Sequence, residues 1–277
     1  MSMKQKGLEW IKARAHKHLA SNVKRYYPSV YTEEVSESGL GIVVDIAPRQ
    51  GKVVEVDSEW VLVKTSRDML FAAARHLLQT VPEEGSTVLI TPYARRLFDG
   101  SRMDAPVETS ENGIKTLAYR LADTRSYLPV DKKTLRCSHL VNMITQIEDL
   151  KAPDGIRRIS QVLVDAGASD KPGCFGFKDP TDEDLPFVAP TVQFRVSSAK
   201  FTGLLNVIFD VAIDLYKVQL VEPNTASVVQ ELVNVDWTSL GQAIVDLIDD
   251  GSWRIAKVAV IRQAPKRRKA TELPLAA

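Results

Sequence analysis

The sequence is poor in the residues that most often announce chemistry. Only two cysteines, Cys137 and Cys174, stand in 277 residues. They form neither a disulfide framework nor a zinc quartet, and they suit a chain kept in the reducing cytoplasm. The four histidines, His16, His18, His76 and His139, lack ligand spacing, so no metal is expected. No apolar run approaches the roughly 20 residues that a membrane-spanning helix needs. The opening "MSMKQKGLEW" has no apolar segment of a secretory signal. Glycine is not arranged to cradle phosphate. "SESGLG" and "DAGASDKPGCFG" match neither G-x-G-x-x-G nor G-x-x-x-x-G-K-[ST], and no cofactor is expected.

What is present is a soluble-type composition, 44% hydrophobic and 26% charged, long enough for one large domain or two ordinary ones. The formal charge of +1 conceals an uneven layout. Residues 1–27 carry seven Lys/Arg against Glu9, and residues 262–277 carry five against Glu272, so the body between them is acidic. Basic ends on an acidic body point to contact with phosphates or with the body itself.

Leu8, Ile11, Ala15, Leu19 and Val23 recur at helical spacing, which predicts an amphipathic helix over 5–25. Pro28 ends it, because the residue before proline leaves the α region. From 39 to 105 short Val- and Ile-rich runs alternate with tight turns, which predicts strands, and the alanines of "FAAARHLLQTV" favour a helix from about Ala72 to Gln79. Residues 106–130 read as an irregular connector with one strand at 115–121. Asp131 is a candidate cap for a helix through Leu140, Ile144 and Ile147. A second helix carries Ile159, Val162 and Leu163 and stops at Gly167. Residues 168–190, rich in Pro, Gly and Asp, read as a long loop. Strands are predicted at 191–197, 201–209, 213–221 and 227–235, then a helix through Leu240, Ile244 and Ile248, and a final strand in "WRIAKVAVI".

The expected fold class is α+β. A small curled, SH3-like β-barrel domain (39–105) is followed by an α+β domain with an antiparallel sheet (131–263). A basic amphipathic helix (1–28) precedes the barrel, the connector spans 106–130, and a disordered basic tail (264–277) closes the chain.

No constellation of reactive groups stands out. Cys137 and His139 are two apart and diverge on a helix. "KDPTDEDLP" (178–186) clusters carboxylates but lacks the calcium-loop pattern. Asp210 and Asp214 would share a face of one long strand and are the residues on which a metal-dependent nuclease would depend. The cationic segments remain. Lys12, Arg14, Lys17, Lys24 and Arg25 of the N-terminal helix, Arg95 and Arg96 beside Tyr93 at the barrel rim, and Lys266, Arg267, Arg268 and Lys269 of the tail form the expected nucleic-acid-binding set. "TPYARRLFDGSRMD" (91–104) reads as a strand exit and a turn at Asp99-Gly100, with both arginines exposed.

"GKVVEVDSEWVLVKT…VPEEGSTVLITPYARR" resembles the small β-barrel domain of Kfr-type accessory proteins of bacterial plasmids. The similar elements are Gly51-Lys52-Val53, the Val-rich strand at 60–63 and the turn Val81–Gly85, within residues 50–98. The alanine-rich stretch 71–78 departs from the family's more polar connection. "APDGIRRISQVLVDAGA" and "IDDGSWRIAKVAVI" are similar to segments of proteins of plasmids and integrative conjugative elements. The resemblance supplies no catalytic residue. It implies an accessory protein of a bacterial mobile genetic element, and with the basic ends, the barrel rim and the lack of a catalytic set the expected function is non-enzymatic binding of DNA or RNA. The alternatives are a protein-binding anti-defence or assembly module, self-associating through the N-terminal helix, and a metal-dependent nuclease.

Overall fold

A computed structural model describes residues 1–34, 36–39, 43–111, 114–118 and 125–265. The chain is mixed α+β and divides into two compact units. One holds Met1–Ser36, Ile46–Tyr93 and Arg254–Ala277; the other holds Glu37–Asp45 and Ala94–Trp253. Among the described residues no helix is long and apolar enough to cross a membrane.

The first unit is a six-stranded sheet under one helix. The strands are β1 (Tyr27–Tyr31), β2 (Arg49–Val56), β3 (Trp60–Lys64), β4 (Met69–Ala74), β5 (Thr87–Thr91) and β13 (Lys257–Arg262), in the order β1-β4-β3-β2-β5-β13. β1 runs parallel to β4, and the remaining pairs are antiparallel. The local hairpins read from sequence are present, but they do not close into an SH3-like barrel. β1 and β13 remain as two open edges, because the outer strands come from beyond the 39–105 segment. β13 begins at Lys257, 166 residues after its neighbour β5 ends at Thr91, so the sheet is completed by distant chain.

The helix α1 (Met3–His18) starts at Ser2, whose hydroxyl accepts the Gln5 N–H. The helix ends at His18, seven residues before the expected end at 25. Tyr27 and Pro28, expected only to stop a helix, open β1, because pairing with Met69 and Leu70 of β4 outweighs local preference. Its apolar stripe docks on the sheet, with Ile11 and Ala15 buried against a core containing Trp60, Leu62 and Phe71. β4 runs beneath α1 as a strand rather than as the expected helix. Its Ala72, Ala73 and Ala74 are fully buried and alternate between the two faces of the strand, so only small side chains meet α1 here.

The second unit layers helices on an antiparallel sheet, as its amphipathic patterns predict. The sheet has the order β12-β11-β10-β9-β8, formed by β8 (Phe175–Lys178), β9 (Thr191–Ser197), β10 (Thr202–Asp210), β11 (Leu215–Val221) and β12 (Val228–Val235). Val192, Phe194, Leu205, Val207, Val218 and Leu220 alternate inward. They pack against α2 (Ser138–Asp149), α3 (Ile159–Asp165) and α4 (Leu240–Ile248). β8 lies within the segment read as a loop, held by Phe175 against Phe194 at 5.6 Å. β10 and β11 are separate strands without Gly or Asn between them, because Asp214 itself adopts φ +57°. A two-stranded ribbon, β6 (Val107–Glu111) and β7 (Ile114–Ala118), falls in the expected connector.

Candidate nucleic-acid interface

Folding sorts charge between the two units. The sequence assigns nineteen Lys/Arg and ten Asp/Glu to the first unit, a net of +9, and seventeen against twenty-five to the second, a net of −8. The layout that looked like basic ends on an acidic body is therefore a basic unit and an acidic one, since the first unit gathers both chain ends.

Within the basic unit α1 has two polar sides with different fates. The side next to the apolar stripe is consumed by the sheet. Arg14 Nε lies 2.6 Å from Glu55, and its guanidinium stacks 4.4 Å over the Trp10 ring. The Trp10 indole N–H donates to Asp57 at 2.6 Å, His18 Nε2 contacts Glu55 at 2.8 Å, and Lys64 Nζ reaches the His18 carbonyl at 2.8 Å. Arg14 is thus a docking residue, not an open phosphate contact. The outward side carries Lys6, Lys12, His16 and Lys17, all exposed, with Glu9 as its acidic member. Lys24 and Arg25 follow, also exposed. Lys6 and His16 belong to the same face by the helical wheel but were outside the expected set. Lys266, Arg267, Arg268 and Lys269 lie outside the described residues.

Glu55 and Asp57 are the anionic side of this dock. Burial pushes the Glu55 carboxyl up, but hydrogen bonds from His18 and Arg14 outweigh it and leave the pKa below the ordinary value of 4.5. Burial likewise raises Asp57, and the N–H groups of Glu59 and Trp60 with the Trp10 indole bring it below its ordinary value. Carboxyls held low in the fold bind fewer protons than in the unfolded chain. Their stabilisation is therefore complete at neutral pH and drains away as pH falls through the carboxylate range. We expect urea-melt stability to decline below about pH 4.5, with a shallower decline over that interval in Glu55→Gln. Equal slopes for the two proteins would remove Glu55 from this role.

The two arginines of "TPYARR" part company. Arg95, expected exposed, is only 5% exposed. Its Nε lies 3.2 Å from both Asp45 carboxylate oxygens, and Nη2 donates to the Val43 carbonyl at 2.9 Å. It serves the interior of the acidic unit, where burial raises the Asp45 pKa more than Arg95 lowers it. Arg96 is exposed, and it too belongs to the acidic unit. The turn beyond them forms as read: Gly100 takes φ +82°, and the Ser101 N–H donates to Asp99 at 2.8 Å.

The remaining candidates do not converge. Cys137 is buried at the start of α2, while the His139 ring stacks on Phe209 with centroids 5.3 Å apart. Asp179 accepts the backbone N–H of Arg136 at 3.0 Å and of Cys137 at 2.8 Å. It holds the chain just before α2 from 42 residues beyond Cys137, and α2 itself has no side-chain cap, since Asp131, expected to cap it, caps a short 3₁₀ turn over Lys132–Thr134 instead. Asp210 ends β10 and accepts the Ala212 N–H at 3.0 Å, with Asp214 beyond it in the turn rather than on a shared strand. Among the described residues no group of three or more His, Cys, Asp or Glu side chains is placed to hold a metal ion. No family model, curated protein or solved structure matches the chain.

Proposed function

We propose that this chain is a non-enzymatic nucleic-acid-binding protein. Its basic unit meets phosphates through the outward face of α1 (Lys6, Lys12 and Lys17), the following Lys24 and Arg25, and the cationic run Lys266–Lys269. The observation that carries this reading is the +9 charge of the first unit together with a helix whose apolar stripe is buried, so that its basic face is held outward on a folded support. A sequence-independent phosphate contact needs little more than such a fixed cationic surface. The resemblance of residues 50–98 to Kfr-type proteins supports reading it as an accessory protein of a mobile genetic element. Free Cys137 and Cys174 suit the cytoplasm.

Fluorescence anisotropy of a labelled DNA duplex and single strand tests the reading. Affinity is expected to fall by about 100-fold between about 50 and 200 mM salt if some four phosphates are engaged. The combined variant Lys12→Ala, Lys17→Ala, Lys24→Ala is expected to reduce the log–log salt slope by about three. No binding at low salt, or an unchanged slope in the variant, defeats the proposal.

A further inference from the structure

The acidic unit carries an aromatic ring held out in solvent beside a cleft. Phe187 is 89% exposed, yet its backbone is fixed. The N–H groups of Asp184 and Leu185 donate to the Thr181 carbonyl at 3.0 and 3.1 Å, and those of Phe187 and Val188 to the Asp184 carbonyl at 2.9 and 2.8 Å. The Thr181 hydroxyl closes the turn on the Asp184 carboxylate at 2.7 Å. Leu185 packs on the core of the unit, so one apolar side chain pins the turn while another is presented. The adjoining cleft has a volume of about 480 Å³ and is lined by Leu185, Phe187, Ile208 and Val211, with Asp182, Asp210 and Lys217 among its polar groups. Val211, Ile213 and Trp237, all exposed, stand at the same end of the sheet, where β10 and β12 finish and β11 begins. A cluster of large exposed apolar side chains on a preformed turn is the signature of a contact surface rather than of a solvated edge.

Charge selects the class of partner. Asp182, Glu183 and Asp214 are exposed and make no ion pair among the described residues, and with Asp210 they outnumber Lys217. The whole unit is net −8, so a polyanion is repelled here and a cation drawn in. We propose that this cleft docks a basic peptide segment of a partner protein. One large apolar side chain of the segment packs between Phe187 and Ile208, and its Lys or Arg residues face Asp182, Glu183 and Asp214. The site lies on the other unit from the phosphate-binding face and does not depend on that reading.

A random 12-residue peptide library selected on the immobilised full chain tests it. The expected result is a consensus with at least two Lys/Arg and one Leu, Phe or Trp. The synthetic fluorescein-labelled consensus peptide then loses about tenfold or more in affinity with Phe187→Ala, as at a buried anchor contact. Its salt dependence flattens in Asp182→Asn, Glu183→Gln. DNA affinity of the same variants, measured in parallel, is expected to stay as in the parent, which separates this site from the basic unit. Because Phe187 is outside the core, its loss leaves the fold intact. The proposal is overturned if no peptide is enriched, if the consensus carries no excess of Lys/Arg, or if Phe187→Ala binds as tightly as the parent.

Discussion

Replacing Arg157 with Met is expected to destabilise the acidic unit by about 3–5 kcal/mol. Arg157 is only 1% exposed, and three carboxylates converge on its guanidinium. Nε lies 2.8 Å from Asp154 and Nη1 3.0 Å from Asp165, while Nη2 pairs with Asp249. The Trp253 ring covers the cation at 3.9 Å. Burial works against the charged form, but the three aspartates outweigh it and raise the Arg157 pKa above its ordinary value. The cluster joins the turn before α3, the end of α3 and the cap of α4. Met fills a similar volume but leaves three partly buried carboxylates facing one another without a counter-charge, and that, rather than the lost packing, sets the size of the effect. A loss of this size corresponds to a fall of about 10 °C in Tm for a unit of this length. Arg157→Lys keeps one charge but loses the fork and the ring stacking, and is expected to lie between parent and Met variant. Adding Asp165→Asn to Arg157→Met is expected to recover part of the loss, because it removes one uncompensated carboxylate. Urea melts followed by Trp fluorescence measure all three. A cost below about 1 kcal/mol for Arg157→Met would mean that water, not the guanidinium, satisfies the cluster.

None of that cluster was legible in the sequence. Arg157 sits in "GIRRIS" beside Arg158, and its partners are three, eight and 92 residues away. Arg95 shows the same limit from the opposite side. Its position after a strand suggests a rim, and the partner that draws it inside, Asp45, is 50 residues earlier. Periodicity reports which face of an element is apolar, not which distant charge meets a polar residue. It served well where burial is decided by spacing. The strand positions of β9, β10 and β11, the stripe of α2 and the stripe of α1 at Ile11 and Ala15 were all readable. It failed at 72–74, where alanines favour a helix locally but form the end of β4 beside α1, leaving only a short 3₁₀ turn at Arg75–Leu77 of the expected helix. The barrel failed for a related reason, since hairpins fix neighbours along the chain but not the edges, which β1 and β13 supply from far outside. In the candidate interface the sequence marked the basic residues of α1 but could not separate Arg14, which is locked to Glu55, from Lys12 and Lys17, which are free to face solvent.

The attachment of α1 turns on a residue that carries no side chain. A Cβ at Gly7 would stand 2.7 Å from Val30 Cγ1 and 2.8 Å from Trp60 Cη2, inside any tolerable contact. Trp60 is itself buried in the core and cannot swing away. On an isolated helix, replacing Gly gains up to about 1 kcal/mol of propensity, so the contact decides the sign. Gly7→Leu is expected to lift the helix from the sheet and to cost about 3 kcal/mol or more, as overpacking adds to the lost burial of Ile11 and Ala15. Ala13→Leu, on the exposed outward side, is the matched control and is expected to change stability by less than about 0.5 kcal/mol. The same pair of variants separates charge from placement in nucleic-acid binding. Both keep every Lys and Arg, so long-range attraction is unchanged, but in Gly7→Leu the basic face is no longer held by Trp10, Arg14 and His18. Affinity for the labelled duplex is then expected to drop several-fold in Gly7→Leu alone, through the ordering that a loose helix must undergo on binding. If Gly7→Leu melts with the parent, α1 is not docked through this contact. If it is destabilised but binds DNA unchanged, the cationic charge acts without the fixed presentation that the docked helix supplies.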